Sequence, residues 1–389
     1  MAGTATAPAK GASDTSKAAA APAAARPFIT GTREVDKNIY DVTKTTVTTT
    51  QRLDTYELDT DGFTSALYIL VEGTTAGNSA TVTFAADGPF NAIDTVQFSD
   101  TSNKAILGPM NGHDLYEIIK HGGYCFSDDA KQSAIYSAVT GSGATGGSFT
   151  FVLRLPIEIV HRDALGALLN KSASAVYKLD ITLAATATIY GTPPTAAPSV
   201  RTRIQQFGWM DPNATDIRGN AVSQAPPALN TVQFWDKQTY NPAAGSLNLK
   251  LNTFSGLVRN LIFELRDNSQ SRQQGDADFP DPFIFQYETS LPVQRIRNIW
   301  RHKIGEDFGY TAAVETAGGR DYGVYPLPYN KDFGLKPGAE SRFGYLPVSS
   351  ATSLMAKGSI GGANNHPLNV FVNYVVPANG DPRAITGGK

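Results

Sequence analysis

Residues 148–159 read Ser-Phe-Thr-Phe-Val-Leu-Arg-Leu-Pro-Ile-Glu-Ile, and every odd position from Phe149 to Ile159 is apolar. Most of the even positions are polar, including Thr150, Arg154 and Glu158. A period of two marks a strand with one buried face. Asp163 then precedes Ala-Leu-Gly-Ala-Leu-Leu, an N-cap residue ahead of apolar positions at helical spacing, which predicts a short helix. From Tyr177 to Ile189 the odd positions are again apolar, which predicts one long strand. Three prolines between Gly191 and Pro198 cannot donate to a ladder, so residues 191–199 read as a linker between two sheet domains.

Working outward, residues 1–37 read as a flexible N-terminal arm, 38–190 as a first sheet domain, 200–377 as a second, and 378–389 as a C-terminal tail. Within the first domain, 45–58 reads as a strand. Phe63, Ser65, Leu67, Ile69 and Val71 share a face in the next strand; Ala80, Val82 and Phe84 alternate in a third, and 93–98 gives a fourth. Residues 112–120 form a helical pattern with Leu115, Ile118 and Ile119 inward, and 141–147 is a glycine-rich loop. In the second domain, strands are expected at 200–209, 231–235, 247–251, 257–265 and 368–376, with a long polar loop at 268–278.

The two halves resemble each other. Leu58, Thr60, Leu67, Ile69 and Val71 match Leu251, Thr253, Leu261, Phe263 and Leu265, and Pro89-Phe90 matches Pro282-Phe283. Leu155-Pro156 is paired in this reading with Leu346-Pro347, and the strand from Tyr177 with the one from Leu368. A nearly constant offset in the same order points to one β fold in tandem copies. About eight strand-like segments per copy fit a jelly roll of two packed sheets. The expected fold class is therefore all-β: two tandem jelly-roll barrels, with short helices in the loops and a disordered arm.

Composition supports this and narrows the function. The 389 residues contain 41% hydrophobic side chains, enough for real cores, and the net charge is −2, so no global field draws the chain to nucleic acid or an acidic membrane. Cys125 is the one cysteine, which rules out an intrachain disulfide and reads as a small buried side chain. The sequence contains neither a continuous apolar signal core nor a stretch near the ~20 apolar residues of a membrane span. The triplets at Asn170 and Asn213 match the glycosylation pattern by chance in that context. Residues 1–27 have almost no large apolar side chains, with Lys10, Lys17 and Arg26 against the single acid Asp14. Two readings stay open for them: a solvated tail, or an arm that orders on a neighbouring subunit or an anionic surface.

Catalytic patterns fail on context. Gly141-Ser-Gly-Ala-Thr-Gly146 has dinucleotide-loop spacing, yet it precedes a strand rather than opening a helix, so it reads as a hairpin loop. His113, His121, His161, His302 and His366 show no ligand spacing with cysteine or carboxylates, and satisfied or exposed imidazoles are expected. Asp128-Asp129 reads as a polar turn, as do Asp276, Asp278 and Asp281, ahead of any calcium site. Residues 293–304 carry Val293, Ile296, Ile299 or Trp300, and Ile304 at helical spacing among Arg295, Arg297, Arg301, His302 and Lys303. This reads as a surface helix with one docked stripe, ahead of a phosphate- or membrane-binding helix. The expectation is no enzyme, no catalytic, cofactor-binding or metal residue, and no cofactor.

With these residues in view, the chain resembles the major capsid proteins of tailless viruses with an internal membrane, especially the tectivirus-type phage coat proteins. The segments that carry the resemblance are 38–43 (Asn-Ile-Tyr-Asp-Val-Thr), 63–71, 88–93 (Gly-Pro-Phe-Asn-Ala-Ile) with the strand after it, and the unit at 149–190. The resemblance implies homotrimers in which two barrels per chain give a pseudo-hexagonal capsomer, tiling an icosahedral shell in the virion after assembly in host cytoplasm. It implies as partners the chain itself, neighbouring capsomers, penton and minor capsid or membrane proteins, and no sequence-specific nucleic acid. Lys10, Lys17 and Arg26 of the arm would face the inner surface or the membrane. The alternative is a β-sandwich receptor- or carbohydrate-binding surface protein, with Trp209, Trp235 and Trp300 as a stacking platform, although burial in the core is the better reading of each.

Overall fold

The computed structural model describes residues 28–60, 62–75, 78–124, 127–159, 164–212, 231–330 and 344–376. The first half contributes β1 (Glu34–Thr45), β2 (the short pieces Gln51–Arg52 and Tyr56–Glu57), β3 (Gly62–Thr74) and β4 (Ile93–Ser99). It continues with β5 (Ala105–Met110), helix α1 (Gly112–His121), β6 (Phe149–Pro156), β7 (Lys178–Leu183) and β8 (Ser199–Trp209). The second half repeats the series as β9 (Val232–Tyr240), β10 (Ala243–Lys250), β11 (Gly256–Leu265), β12 (Phe283–Tyr287) and β13 (Ser290–Arg295). Helix α2 (Arg297–Phe308), β14 (Val324–Pro328), β15 (Leu354–Asn365) and β16 (Leu368–Val376) complete it.

Pairing makes the duplication explicit. One sheet runs β1-β8-β3-β6, and its counterpart runs β9-β16-β11-β14. The facing sheet of the first half runs β2-β7-β4-β5, and that of the second runs β10-β15-β12-β13. Each strand of the first half thus has a counterpart eight places later, and a helix follows the fifth strand in both. These are two jelly rolls of two packed sheets. They are fused, because β5 lies parallel to β9 with Leu107 opposite Trp235, so two four-strand sheets become one continuous sheet. Both Gly88–Pro89 and Asp281–Pro282 are cis peptide bonds.

The alternation read from the sequence sets the inner faces. Leu67, Ile69, Val71, Phe151, Leu153, Val96 and Ile181 are buried in one cluster, and Leu261, Phe263, Phe285, Ala356, Val370 and Val372 in another. Each large apolar side chain so buried contributes roughly 1.5–3 kcal/mol against exposure. The first cluster also takes in Trp235, Ile262, Val324 and Phe371 from the outer face of the second half. The core of one barrel is therefore continuous with the back of the other.

Several expectations are corrected. The strand at 200–209 belongs to the first half: β8 lies between β1 and β3, so the proline segment leads back into the first sheet rather than out of it. The first strand begins at Glu34, before the expected start at residue 38, and Phe28 packs against Phe63 at 5.2 Å between ring centroids. The strand expected at 45–58 is broken: between the two pieces of β2 Thr55 turns to bond Asp180, which Arg52 at the end of the first piece also bonds, each at 2.6 Å. No helix follows residue 163, which lies outside the described residues. Ala164 and Gly166 have φ of 55° and 85°, a left-handed backbone that a right-handed helix excludes, and Leu168–Asn170 pairs with β3 instead.

The long strand expected at 177–189 stops at Leu183. The residues after it alternate only Ala and Thr, which bury too little area to hold a strand, and Thr186–Ile189 forms a helical turn. Tyr190–Thr192 and Gly141–Gly143 then flank Asn78–Phe84 in a small sheet. The polar loop at 268–278 contains a helix, Arg272–Asp278, capped by Ser271. The basic helix begins at Arg297, not Val293, because 290–295 pairs with β12 as a strand. Leu155 corresponds to Leu327 rather than Leu346, since each lies opposite the equivalent residues Leu67 and Leu261. The counterpart of β7 is β15, not the strand from Leu368.

Candidate functional site

Helix α1 sits at the junction between the two barrels. Asn111 caps it in a reciprocal box with Asp114, and all ten of its residues are buried, charged ones included. Leu115, Ile118 and Ile119 face their own barrel as the sequence predicts. The opposite face lies on the outer side of β9-β16-β11-β14. Asn260 donates to the His121 carbonyl at 2.6 Å, Arg259 donates to the Gly122 carbonyl, and Lys237 meets Asp114 at 2.7 Å. The last carbonyls of the helix, which lack partners within it, thus find donors on the second half. Tyr310 also donates to the Lys120 carbonyl at 2.5 Å.

Ion pairs hold this junction in one geometry. Lys120 Nζ lies 2.6 Å from Asp321 and 3.4 Å from Asp129. Arg266 bonds Asp87 at 2.7 Å and Glu264 at 2.5 Å, and Arg272 bonds Asp87 at 2.9 Å and Glu315 at 2.6 Å. Burial works against the carboxylate of Glu264, but Arg266 outweighs it and holds the pKa at about 2. Burial likewise opposes the charge on Asp321, and Lys120 and Lys131 outweigh it and keep it low. Burial depresses His113 to about 3 and His121 to about 4, so both imidazoles are neutral at pH 7. Glu117 lies between them, 3.5 Å from His113 and 3.1 Å from His121; burial first, then the Asp321 charge, pushes its pKa well up.

Glu117, His121 and Asp321 bring three donor atoms within 4.8 Å of one another, a grouping that spacing in the sequence does not reveal. As a metal set it fits poorly. Burial and the Asp321 charge disfavour the carboxylate form of Glu117 that a metal needs, and the Lys120 ammonium already supplies the positive charge beside Asp321. The chemistry of this cluster is that of a fastener between barrels.

The other residues singled out in the sequence are scattered. Lys10, Lys17, Arg26, Cys125, His161 and Asn213 lie outside the described residues. Asp129 caps a turn at Lys131 and accepts from Tyr116, while burial lifts Asp128 to about 6. Asp276 accepts from Arg301, Arg320 and Tyr325, and Asp278 from Gln274 with His366 at 3.1 Å, so these carboxylates serve the fold. Trp209, Trp235 and Trp300 are buried, as the better reading of each has it, so they form no stacking platform. His302 is 79% exposed and pairs with Glu306.

A cleft lies open among the described residues. On the outer side of β1-β8-β3-β6, Tyr68, Leu70, Val152 and Phe207 line a cleft of about 270 Å³ beside the Arg203–Glu72 ion pair. Tyr68 and Phe207 meet edge to face at 5.1 Å.

No family model matches the sequence, and no curated protein matches it. Solved structures are similar in fold. The STIV MCP superposes with a TM-score of 0.57 at 11% identity, covering 89% of this chain and 98% of that one. The PBCV-1 virus capsid gives 0.54 at 10% identity over 88% and 94%. The major capsid protein P2 from Bacteriophage PM2 gives 0.50 at 10% identity over 90% and 100%. The chain therefore has the double jelly-roll fold found in these proteins, along nearly its whole length.

Proposed function

We propose that this chain is the major coat protein of a virus and acts as a building block, not a catalyst. The observation that carries the reading is the fusion of two complete jelly rolls into one body through a parallel strand pair and a buried ionic junction. A fused pair with a fixed angle is suited to tiling. Likeness in fold to viral capsid proteins over about nine tenths of the chain supports the same role. In this reading three copies form a homotrimer of six barrels, and such capsomers tile an icosahedral shell over an internal membrane, as in tectivirus-type phages. Residues 1–27, with Lys10, Lys17 and Arg26, reach the inner surface and the anionic bilayer there. Pentons and minor proteins would complete the virion.

The test is the assembly state of the full chain. Sedimentation and negative-stain imaging are expected to show trimers with a pseudo-hexagonal outline that bind no glycan. A stable monomer with glycan affinity would overturn the reading in favour of a surface-binding module.

A further inference from the structure

One pair in the junction is placed for more than an ionic contact. Lys120 of α1 and Asp321, in the segment before β14, both have side chains with no exposure to solvent, and Nζ lies 2.6 Å from Oδ2. Neither oxygen of Asp321 has an aligned hydrogen-bond donor among the described residues. The nitrogen therefore touches the carboxyl group without the alignment of an N–H···O bond, while it donates to the Tyr116 hydroxyl at 3.0 Å. Asp129, 3.4 Å from the same Nζ, is occupied otherwise. Its oxygens accept from the Tyr116 hydroxyl and from the backbone amides of Lys131 and Gly318. Asp321 is the carboxyl group left for Nζ.

Glu117 stands beside the pair. It is fully buried, brings a carboxyl oxygen within 4.8 Å of one on Asp321, and has no aligned hydrogen-bond donor on either oxygen. Burial and the Asp321 charge favour its protonated form. The rings of Tyr116 and Tyr310 line the site, 5.3 Å and 5.0 Å from Lys120 Nζ. An amine and a carboxyl group held in contact in a dry site, with a carboxylic acid alongside, are the groups that amide formation needs.

We propose that Lys120 and Asp321 condense after folding into an isopeptide bond that ties the two barrels together covalently. The ion pair already holds every atom of the amide and of one water. A proton passes from the ammonium to the carboxylate, which leaves a neutral amine against a neutral acid. The nitrogen lone pair attacks Cγ and the C–N bond forms. Negative charge gathers on Oδ1, which faces the Lys131 ammonium at 3.7 Å. Glu117 gives its proton to the departing Oδ2 hydroxyl, the C–O bond breaks, and water leaves. Glu117 then recovers a proton from the new amide nitrogen, so no oxidant, cofactor or activating group is consumed. The product exchanges two buried charges for one neutral amide, which removes the desolvation that the ion pair has to bear. Asp129 keeps its three donors. The inference goes beyond the coat-protein reading and does not depend on it.

The experiment is intact-mass spectrometry of the purified, folded full chain during incubation at neutral pH, followed by tryptic mapping. The wild type is expected to become lighter than its sequence by one water. Its digest is expected to contain one branched peptide joining the segment around Lys120 to the segment around Asp321, with no cleavage after Lys120. Lys120→Met removes a buried charge and strains the fold, so Glu117→Gln, neutral and of the same shape, is the deciding variant. With circular dichroism confirming its fold, it is expected to keep its full mass over the same period. A folded wild type that stays at full mass overturns the bond and leaves the coat-protein reading untouched. A water loss without the branched peptide, or a branch through Asp129, overturns it as well. Cross-linking at the wild-type rate in Glu117→Gln overturns the part given to Glu117.

Discussion

Lys120 Nζ lies 2.6 Å from Asp321 Oδ2, with both side chains fully buried, and the bond joins helix α1 of the first jelly roll to a turn of the second. Burial disfavours the ammonium, but Asp321 and Asp129 outweigh it and raise its pKa. Lys120→Met would leave Asp321 and Asp129 without their main counter-charge. The expected loss is roughly 3–5 kcal/mol, the scale for breaking one side of a buried pair. Thermal or urea unfolding checks it, and an unchanged midpoint would show that the pair does not hold the barrels together.

Glu117 gives a pH-dependent prediction with a fixed sign. Its pKa is raised in the folded chain above the ordinary value near 4.5. Its contribution is therefore fully present below that value and is lost as pH rises toward the folded pKa, because the unfolded chain releases a proton that the folded chain keeps. Glu117→Gln removes this dependence while keeping the neutral shape. The variant is expected to gain on the wild type as pH rises above the ordinary glutamate value, by at most about 1.4 kcal/mol per pH unit. Melting curves of both proteins across that range provide the measurement, and parallel curves would contradict it.

Gly112 opens α1 where the helix presses on the turn before β4. A Cβ there would lie 2.1 Å from the Phe90 carbonyl oxygen, which is backbone and cannot rotate away. Gly112→Ala is expected to cost roughly 1–3 kcal/mol. Gly141→Ala puts its Cβ in open space but at a φ of 101°, so it strains the backbone without a clash and serves as the comparison.

Deleting residues 1–27 ends just before Phe28, which packs on Phe63 and Trp209 and so stays with the barrel. Trimers are expected to survive this deletion, and shell assembly to fail. Loss of trimers, seen by sedimentation, would contradict the assignment of the arm to the inner surface.

Much of the architecture was legible because strands announce themselves locally. The alternation at Leu67 to Val71 and at Phe149 to Leu155 matches the inner faces of β3 and β6, whereas Phe63 to Ala66 is buried throughout and Phe63 packs with Phe28 and Trp209 in a separate cluster. The pairing of Pro89 with Pro282 also holds, since each precedes the third strand of its facing sheet. The repeat was misread further along because the segments between β5 and β6 and between β6 and β7 differ in length from their counterparts, so one offset cannot serve both ends. Prolines at 193, 194 and 198 suggested an exit from the domain, yet they leave the following strand free to return beside β3. The junction was invisible for a different reason. Lys120 meets Asp321, and Asp87 meets Arg266, across long stretches of chain, and nothing in the local pattern marks such partners.

Strand pairing sets Glu264 of β11, and Arg266 just past its end, level with Leu70 and Glu72 of β3, so the same two sites carry different chemistry in the two halves. A contact between tethered parts needs no search through solution and loses little translational freedom, so it tolerates ions whose dehydration cancels much of their attraction. A contact that must gather separate molecules has to overcome that loss, and oily surface does so with less demand on alignment. Because its two barrels never part, the seam between them can favour a fixed alignment over sheer adhesion.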